Sequence, residues 1–332
     1  MKFLVVDDDP LVLDLVTLVL QQEGHKTIHT ARSGVEALDL LRTYTGIYDV
    51  LVLDISMPEM NGIALCHHIR HLPGYKNTPI IMLTANSDSI SIEKAFAAGA
   101  NDYITKPFDV KSIGGRIQIA RRMMDEHQIS YAADQDYFSE PGKIGEHEFG
   151  VSDPIRITGM EQHTDTFSLG NYLLQLAKKR VNETYVFAAQ IDDFTSIYEN
   201  SDSQTLLVTI SEVWRAISSA ADDNRLLGAY FGSGVFMCIA TSDIQDLWNK
   251  MEHDVVAILQ RSERLKKIGA STDIPLIVGR PVKPNASKTK RVRPSFNRAI
   301  SLLEKRKGVS ESPLDDTSGP RTTTLRPRDF PR

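Results

Sequence analysis

Four short apolar runs, each ending on a polar residue suited to chemistry, constrain the fold of the first third of this chain more than any other feature. Phe3–Val6 leads into Asp7 and Asp8, Asp49–Leu53 into Asp54, Pro79–Leu83 into Thr84, and Tyr103–Thr105 into Lys106. A further strand is predicted near Lys26–Thr30. Between these runs lie stretches of helical periodicity: Leu11–Gln22, Gly34–Tyr44, Asn61–Leu72, Ser89–Ala98 and Val110–Met124. Strands alternating with amphipathic helices predict a parallel sheet covered on both faces. In such sheets the functional groups gather where the carboxyl ends of the strands meet the loops.

The chain of 332 residues has room for two domains. Its 41% hydrophobic and 24% charged content is that of soluble globular protein. A net charge of −5 argues against nucleic-acid binding by the whole chain. Cys66 and Cys238 stand far apart and read as reduced thiols rather than a disulfide framework. No positively charged leader precedes the first strand, and no apolar run approaches the ~20 residues of a bilayer span. A cytoplasmic protein with no membrane partner is expected.

If the sheet is parallel, Asp7, Asp8, Asp54 and Lys106 converge on one rim. Crowded carboxylates repel unless a cation intervenes. Mg²⁺ takes oxygen ligands, typically one or two carboxylates with water and phosphate. A carboxylate can attack phosphorus when a metal and a lysine stabilise the charge developing on the transferred oxygens. Asp54 would then be the nucleophile. Taken alone, each of these acids reads equally well as a helix cap. Asp9, directly before Pro10, is expected to be one. The joint occurrence with Thr84 and Lys106 favours the phosphoryl site.

LVVDDDP, LVLDISMPEMNG, IIMLTAN and AGANDYITKPF, in that order, resemble the motifs of response-regulator receiver domains, and the resemblance covers residues 1–122. It implies a flavodoxin-like fold of five parallel strands. It also implies that Asp54 accepts a phosphoryl group from a sensor histidine kinase or a phosphotransfer protein. Asp8 and Asp54 would hold Mg²⁺ directly, Asp7 through water and Ser56 through its carbonyl. Thr84 and Lys106 would contact the phosphoryl oxygens. Tyr103 would be the aromatic that swings inward when Thr84 engages the phosphate, its other reading being a partly buried core ring. Lys106–Pro107 is expected to be cis, and Ser56 and Asn86 sit where the family tunes the lifetime of the aspartyl phosphate.

Residues 123–165 are polar and acidic and read as a linker, and 309–332 as a disordered tail. Between them, 166–308 show a second α/β pattern. Helices are predicted at Phe167–Arg180, Gln204–Ala221, Ile244–Lys267 and Phe296–Arg306. Strands are predicted at Tyr185–Ile191, Leu226–Phe231, Val235–Ala240 and Pro275–Val278, with Gly232-Ser233-Gly234 as a hairpin turn.

This order, with IDDF, FGSGVF, IPLIVG and FNRAISLLEKRKG, resembles a degenerate GGDEF diguanylate cyclase domain. The family's two metal-binding acids fall on Gln190 and Gly234, its following glutamate on Val235, and its guanine-contacting Asn on Tyr198. Asp192 keeps one acid, and the product-inhibition motif falls on Asp223 and Leu226, where it is lost. Two-metal phosphoryl chemistry needs those carboxylates. The expectation is therefore a non-enzymatic regulator whose output domain acts by binding an unidentified protein, with a homodimer through the receiver as a further option. The alternatives are an active diguanylate cyclase and a DNA-binding regulator using the basic segment 280–307. No helix-turn-helix or aromatic interleaving accompanies that segment, so nucleic acid is not the expected partner.

Overall fold

A computed structural model of the chain describes residues 1–85, 89–125, 131–134, 142–158, 160–221, 226–240 and 245–310. It divides into two units, the first Met1–Ser139 with Pro154–Tyr172 and the second Glu140–Asp153 with Leu173–Arg332.

In the first unit the elements run β1 (Lys2–Val6), α1 (Pro10–Gln22), β2 (Thr27–Ala31), α2 (Gly34–Thr43), β3 (Val50–Asp54), α3 (Gly62–Arg70), β4 (Ile80–Thr84), α4 (Ser89–Ala97), β5 (Asp102–Thr105) and α5 (Val110–Asp125). They are followed by β6 (Tyr131–Asp134), β7 (Ile155–Thr158) and α6 (Thr166–Gln175), whose last residues pass into the second unit. The five main strands pair in the order β2-β1-β3-β4-β5, every pair parallel, which is the flavodoxin-like α/β arrangement. Successive side chains of a strand point to opposite faces, so a strand buried on both sides is apolar throughout. Leu4, Val6, Leu51, Leu53, Ile80 and Met82 face the layer of α2 and α3. Phe3, Val5, Val50, Val52, Ile81 and Leu83 face α1 and α5.

The helices start where local side chains satisfy their free N–H groups. Asp9 Oδ1 accepts from Leu11 N at 2.9 Å, with Pro10 in the first helical position, as expected. Ser33 caps α2 and Asn61 caps α3. At the opposite end of the sheet Arg70 is buried and donates to the carbonyls of Tyr75, Thr78 and Gly99 and to Asn101 Oδ1. Burial, reinforced by the nearby charge of Arg156, lowers its pKa to about 9.

The strands β6 and β7, a parallel pair, lie within the stretch expected as a linker, and that stretch is shared between the units. The second unit is mixed α/β. It contains α7 (Lys178–Asn182), β8 (Tyr185–Ile191), α8 (Phe194–Glu199), α9 (Ser203–Ala220), β9 (Leu226–Tyr230), β10 (Val235–Ala240), α10 (Gln245–Gln260), α11 (Glu263–Lys267), β11 (Leu276–Val278) and α12 (Val292–Ser310). Its sheet is antiparallel, in the order β11-β8-β10-β9. β9 and β10 form the expected hairpin, and Gly232, Ser233 and Gly234 all take positive φ of 85°, 50° and 75°. Gly228 lies against Trp214, where a Cβ would come within 2.3 Å of the indole.

The single helix predicted over Ile244–Lys267 is two. Ser262 interrupts it, its Oγ accepting from Leu265 N and donating to Glu212, so a new N-terminus forms there. The helix α12 starts earlier than predicted because Pro294 is tolerated in a first turn. Of the expected tail, 309 and 310 end α12 and the remainder lies outside the described residues. Among the described residues no helix is long and apolar enough to cross a membrane.

Candidate functional site

The parallel order of β1, β3 and β5 brings their carboxyl ends to one rim, and with them three acids and a lysine. Asp7, Asp8 and Asp54 each place a carboxylate oxygen within 4.8 Å of the others. Asp7 and Asp54 are buried, while Asp8 faces out. Lys106 Nζ lies 2.7 Å from Asp7 Oδ2 and 2.7 Å from Asp54 Oδ1. The remaining oxygens are also held: Asp7 Oδ1 accepts from Asp9 N at 3.0 Å and Asp54 Oδ2 from Ser56 N at 2.8 Å.

The charges are strongly coupled. Burial raises the Asp7 pKa above the usual carboxylate value, and the Asp54 charge adds to it, against the opposing hydrogen bonds from Lys106 and Asp9 N. For Lys106 desolvation favours the neutral amine, but the hydrogen bonds and charges of Asp54 and Asp7 outweigh it and raise its pKa. Among the described residues, three carboxylates against one ammonium leave a surplus of negative charge, which a hard, oxygen-seeking divalent cation would neutralise.

Thr84 ends β4, buried beside this group, and its carbonyl accepts from Lys106 N at 2.7 Å, tying the tips of β4 and β5 together. The peptide Lys106–Pro107 is cis. Tyr103 is half-buried on β5, and burial raises its phenol pKa. Asn86 lies outside the described residues. The structure thus gathers Asp7, Asp8, Asp54, Ser56, Thr84 and Lys106 at one rim, with Tyr103 on the neighbouring strand.

Gly62 is a further participant that pattern reading passed over. Its N–H donates to Ile55 O at 3.0 Å, and a Cβ there would stand 2.1 Å from the backbone oxygen of Asp54. The loop after β3 therefore folds directly back over the acid. The Asn-Gly pair that opens α3 was the only sequence signal for it.

In the second unit the described residues singled out by the cyclase resemblance make contacts within that unit. Gln190 Nε2 donates to Ser233 O at 2.9 Å, and Tyr198 Oη donates to Phe149 O at 2.6 Å. Ser233 N donates to Val151 O at 2.7 Å, and a Cβ on Gly232 would stand 2.2 Å from Ser152 O. The stretch 149–152 thus lies directly on the hairpin turn. Asp192 is 3.6 Å from Lys307 Nζ, Asp193 is left-handed at φ 48°, and Val235 is buried in β10. Asp223 lies outside the described residues, and Leu226 is buried in β9.

Several cations of the basic stretch are used internally. Arg291 is buried and donates to the carbonyls of Leu174, Leu176, Asn285 and Ala286. Arg306 bonds Val278 O and Glu252, and Arg280 lies over the Trp248 ring.

The matches to known proteins fall on the first part of the chain. The family model described as response regulator receiver domain matches residues 3–118. The chemotaxis protein CheY homolog of Campylobacter jejuni is 41% identical over 108 residues, covering 32% of this chain and 82% of that protein. The DNA-binding response regulator MtrA of Mycobacterium leprae is 35% identical over 151 residues, 44% of this chain and 64% of that protein, so the chain spans less than two thirds of this relative's length. Among solved structures, the chemotaxis response regulator CheY4 of Vibrio cholerae is 32% identical with a TM-score of 0.34, covering 36% of this chain and 97% of that one. The chain belongs to the two-component response regulators, with a CheY-like receiver domain at its N-terminus.

Proposed function

We propose that Asp54 accepts a phosphoryl group from a sensor histidine kinase or a phosphotransfer protein, and that the acid rim binds Mg²⁺ for this step. One observation carries the reading: among the described residues one ammonium, Lys106, bridges two buried carboxylates at 2.7 Å each, in a group of three acids. An oxygen of Asp54 attacks phosphorus as the N–P bond of the donor phosphohistidine breaks, and the bonding electrons return to the imidazole. Lys106 then follows the charge onto the transferred oxygens, where Thr84 adds a hydroxyl donor. Asp8 and Asp54 would hold the metal directly, Asp7 through water and Ser56 through its carbonyl, as the family resemblance implies. When bound, Mg²⁺ supplies neutralising charge to the phosphoryl oxygens. Incubation with labelled acetyl phosphate or a phosphorylated histidine kinase tests this. Label is expected on the wild-type chain and absent from Asp54→Asn, whereas equal labelling of both would overturn it.

The output, on the same reading, is non-enzymatic. The second unit resembles a GGDEF domain that has lost its metal-binding acids at Gln190 and Gly234, and its turn is covered by the chain's own backbone at Val151 and Ser152. It acts by binding a protein, with a homodimer through the receiver as a further option. Incubation with GTP and Mg²⁺ or Mn²⁺ should yield no cyclic dinucleotide, and robust product would refute this part. A second reading, transcriptional regulation through DNA, is favoured by the MtrA relative. A mobility shift that weakens steeply with salt would support it.

A further inference from the structure

The end of α3 carries three exposed histidines, His67, His68 and His71, none of which the phosphoryl site uses. On a helix, residues four apart lie one above the other, whereas adjacent residues point about 100° apart. His71 closes α3 with helical backbone angles, φ −91° and ψ −8°, so this spacing holds up to it. The His67 and His71 rings accordingly lie close, with centroids 4.6 Å apart and planes tilted by 43°. The His68 ring stands off, 6.1 Å from His67 and edge-on at 80°. Two imidazoles on one ion, each at the usual metal–nitrogen distance of about 2.0–2.1 Å, place their ring centres about 4.5–5 Å apart.

The tautomer of His71 suits the same purpose. Its Nδ1 lies 2.8 Å from His67 O. A carbonyl oxygen can only accept, so Nδ1 carries the proton and Nε2 keeps its lone pair. Metal-bound histidines are oriented in this way, the second ring nitrogen donating to a backbone carbonyl or carboxylate. Desolvation, with the charges of His71 and His68, lowers the His67 pKa below its ordinary 6.5, which leaves that ring neutral and able to ligate near neutral pH. The carbonyls that end α3 add partial negative charge beside the pair.

We propose that His67 and His71 form a chelating site for a late first-row divalent cation of the Zn²⁺ type, separate from the acid rim. Imidazole nitrogens suit such ions, whereas the carboxylates of the rim suit Mg²⁺. Two protein nitrogens leave the other positions of a tetrahedral ion to water. The bound ion ties together the last turn of α3 and so stabilises the receiver by mass action. Nothing in this depends on Asp54 accepting phosphate.

Titration of the untagged full chain with Zn²⁺, in excess Mg²⁺, tests the site by calorimetry and by the imidazole Cε1–H signals in NMR. Of the nine histidines, His67 and His71 should show the shifts, moving together, with their signals assigned from the variants that lack them. His67→Gln and His71→Gln should each weaken the calorimetric affinity at least about tenfold. His68→Gln should bind like wild type. All three side chains are exposed, and circular dichroism confirms that each variant folds. Undiminished binding by the His67 and His71 variants would overturn the site, as would an equal loss in His68→Gln. Absence of any shift would overturn it too and leave the pair as a cap on the helix end.

Discussion

The Lys106 ammonium stands 2.7 Å from Asp54 Oδ1, across a span of sequence that crosses the whole second half of the receiver sheet. Two strands, β3 and β5, set that distance, and β4 lies between them. The lysine therefore reaches over one strand to hold the acid. Replacing Lys106 by Met keeps the length and removes the charge. Phosphorylation of Asp54 by acetyl phosphate is expected to slow about 10²-fold, the usual cost of one lost electrostatic donor. Time courses of label incorporation check it, and a rate within about threefold of wild type would count against the role given to Lys106.

Gly62→Ala places a Cβ 2.1 Å from the Asp54 backbone oxygen, which only a shift of the β3 tip or the α3 start can relieve. Overpacking of this kind costs about 1–3 kcal/mol. If the relief displaces Asp54 by about 1 Å, phosphorylation should also slow by about 10²-fold. Urea denaturation and label incorporation measure the two effects separately.

Arg70→Met should lower stability by about 3 kcal/mol, since it strands acceptors on Tyr75, Thr78, Gly99 and Asn101 in a buried site. The phosphorylation rate should be unchanged at temperatures where the variant is folded, because Arg70 lies at the opposite end of the strands. Urea midpoints and labelling rates, read together, decide.

His163 is buried, and desolvation, aided by the charge of Arg156, lowers its pKa to about 3. The unfolded chain takes up a proton near the ordinary value of 6.5 while the folded chain does not. Stability therefore falls as pH drops below 6.5 and continues to fall toward about 3. Between about pH 7.5 and about pH 5.5 the loss from this group is about 1.4 kcal/mol. His163→Asn should flatten that part of the profile, which denaturant titrations at the two pH values will show.

Much of the receiver was legible along the chain because its signals are local. Runs such as Phe3–Val6 and Pro79–Leu83 are apolar on both faces, which only a doubly covered strand needs. Asp9-Pro10, Ser33 and Asn61 announce helix starts through their own hydrogen bonds. Strands that end on Asp7, Asp54 and Lys106 can share a rim only if they run parallel, so the site followed from the alternation of elements. The Gly232-Ser233-Gly234 hairpin was legible for the same local reason, whereas the break at Ser262 was not, because its decisive partner is Glu212, 50 residues earlier.

Sequence alone thus determined the strands of the two larger sheets, where several helices begin, and which acids meet at one rim of the parallel sheet. Tertiary structure alone decided that Gly62 folds over Asp54, that Arg70 is buried among carbonyls, that β8 lies between β10 and β11, and that Asn101 holds Asp165 from 64 positions away. The difference is physical. Periodicity and caps are satisfied within a few residues of chain. Buried polar groups and antiparallel partners are instead satisfied by whatever distant segment the collapsed chain brings within hydrogen-bonding reach.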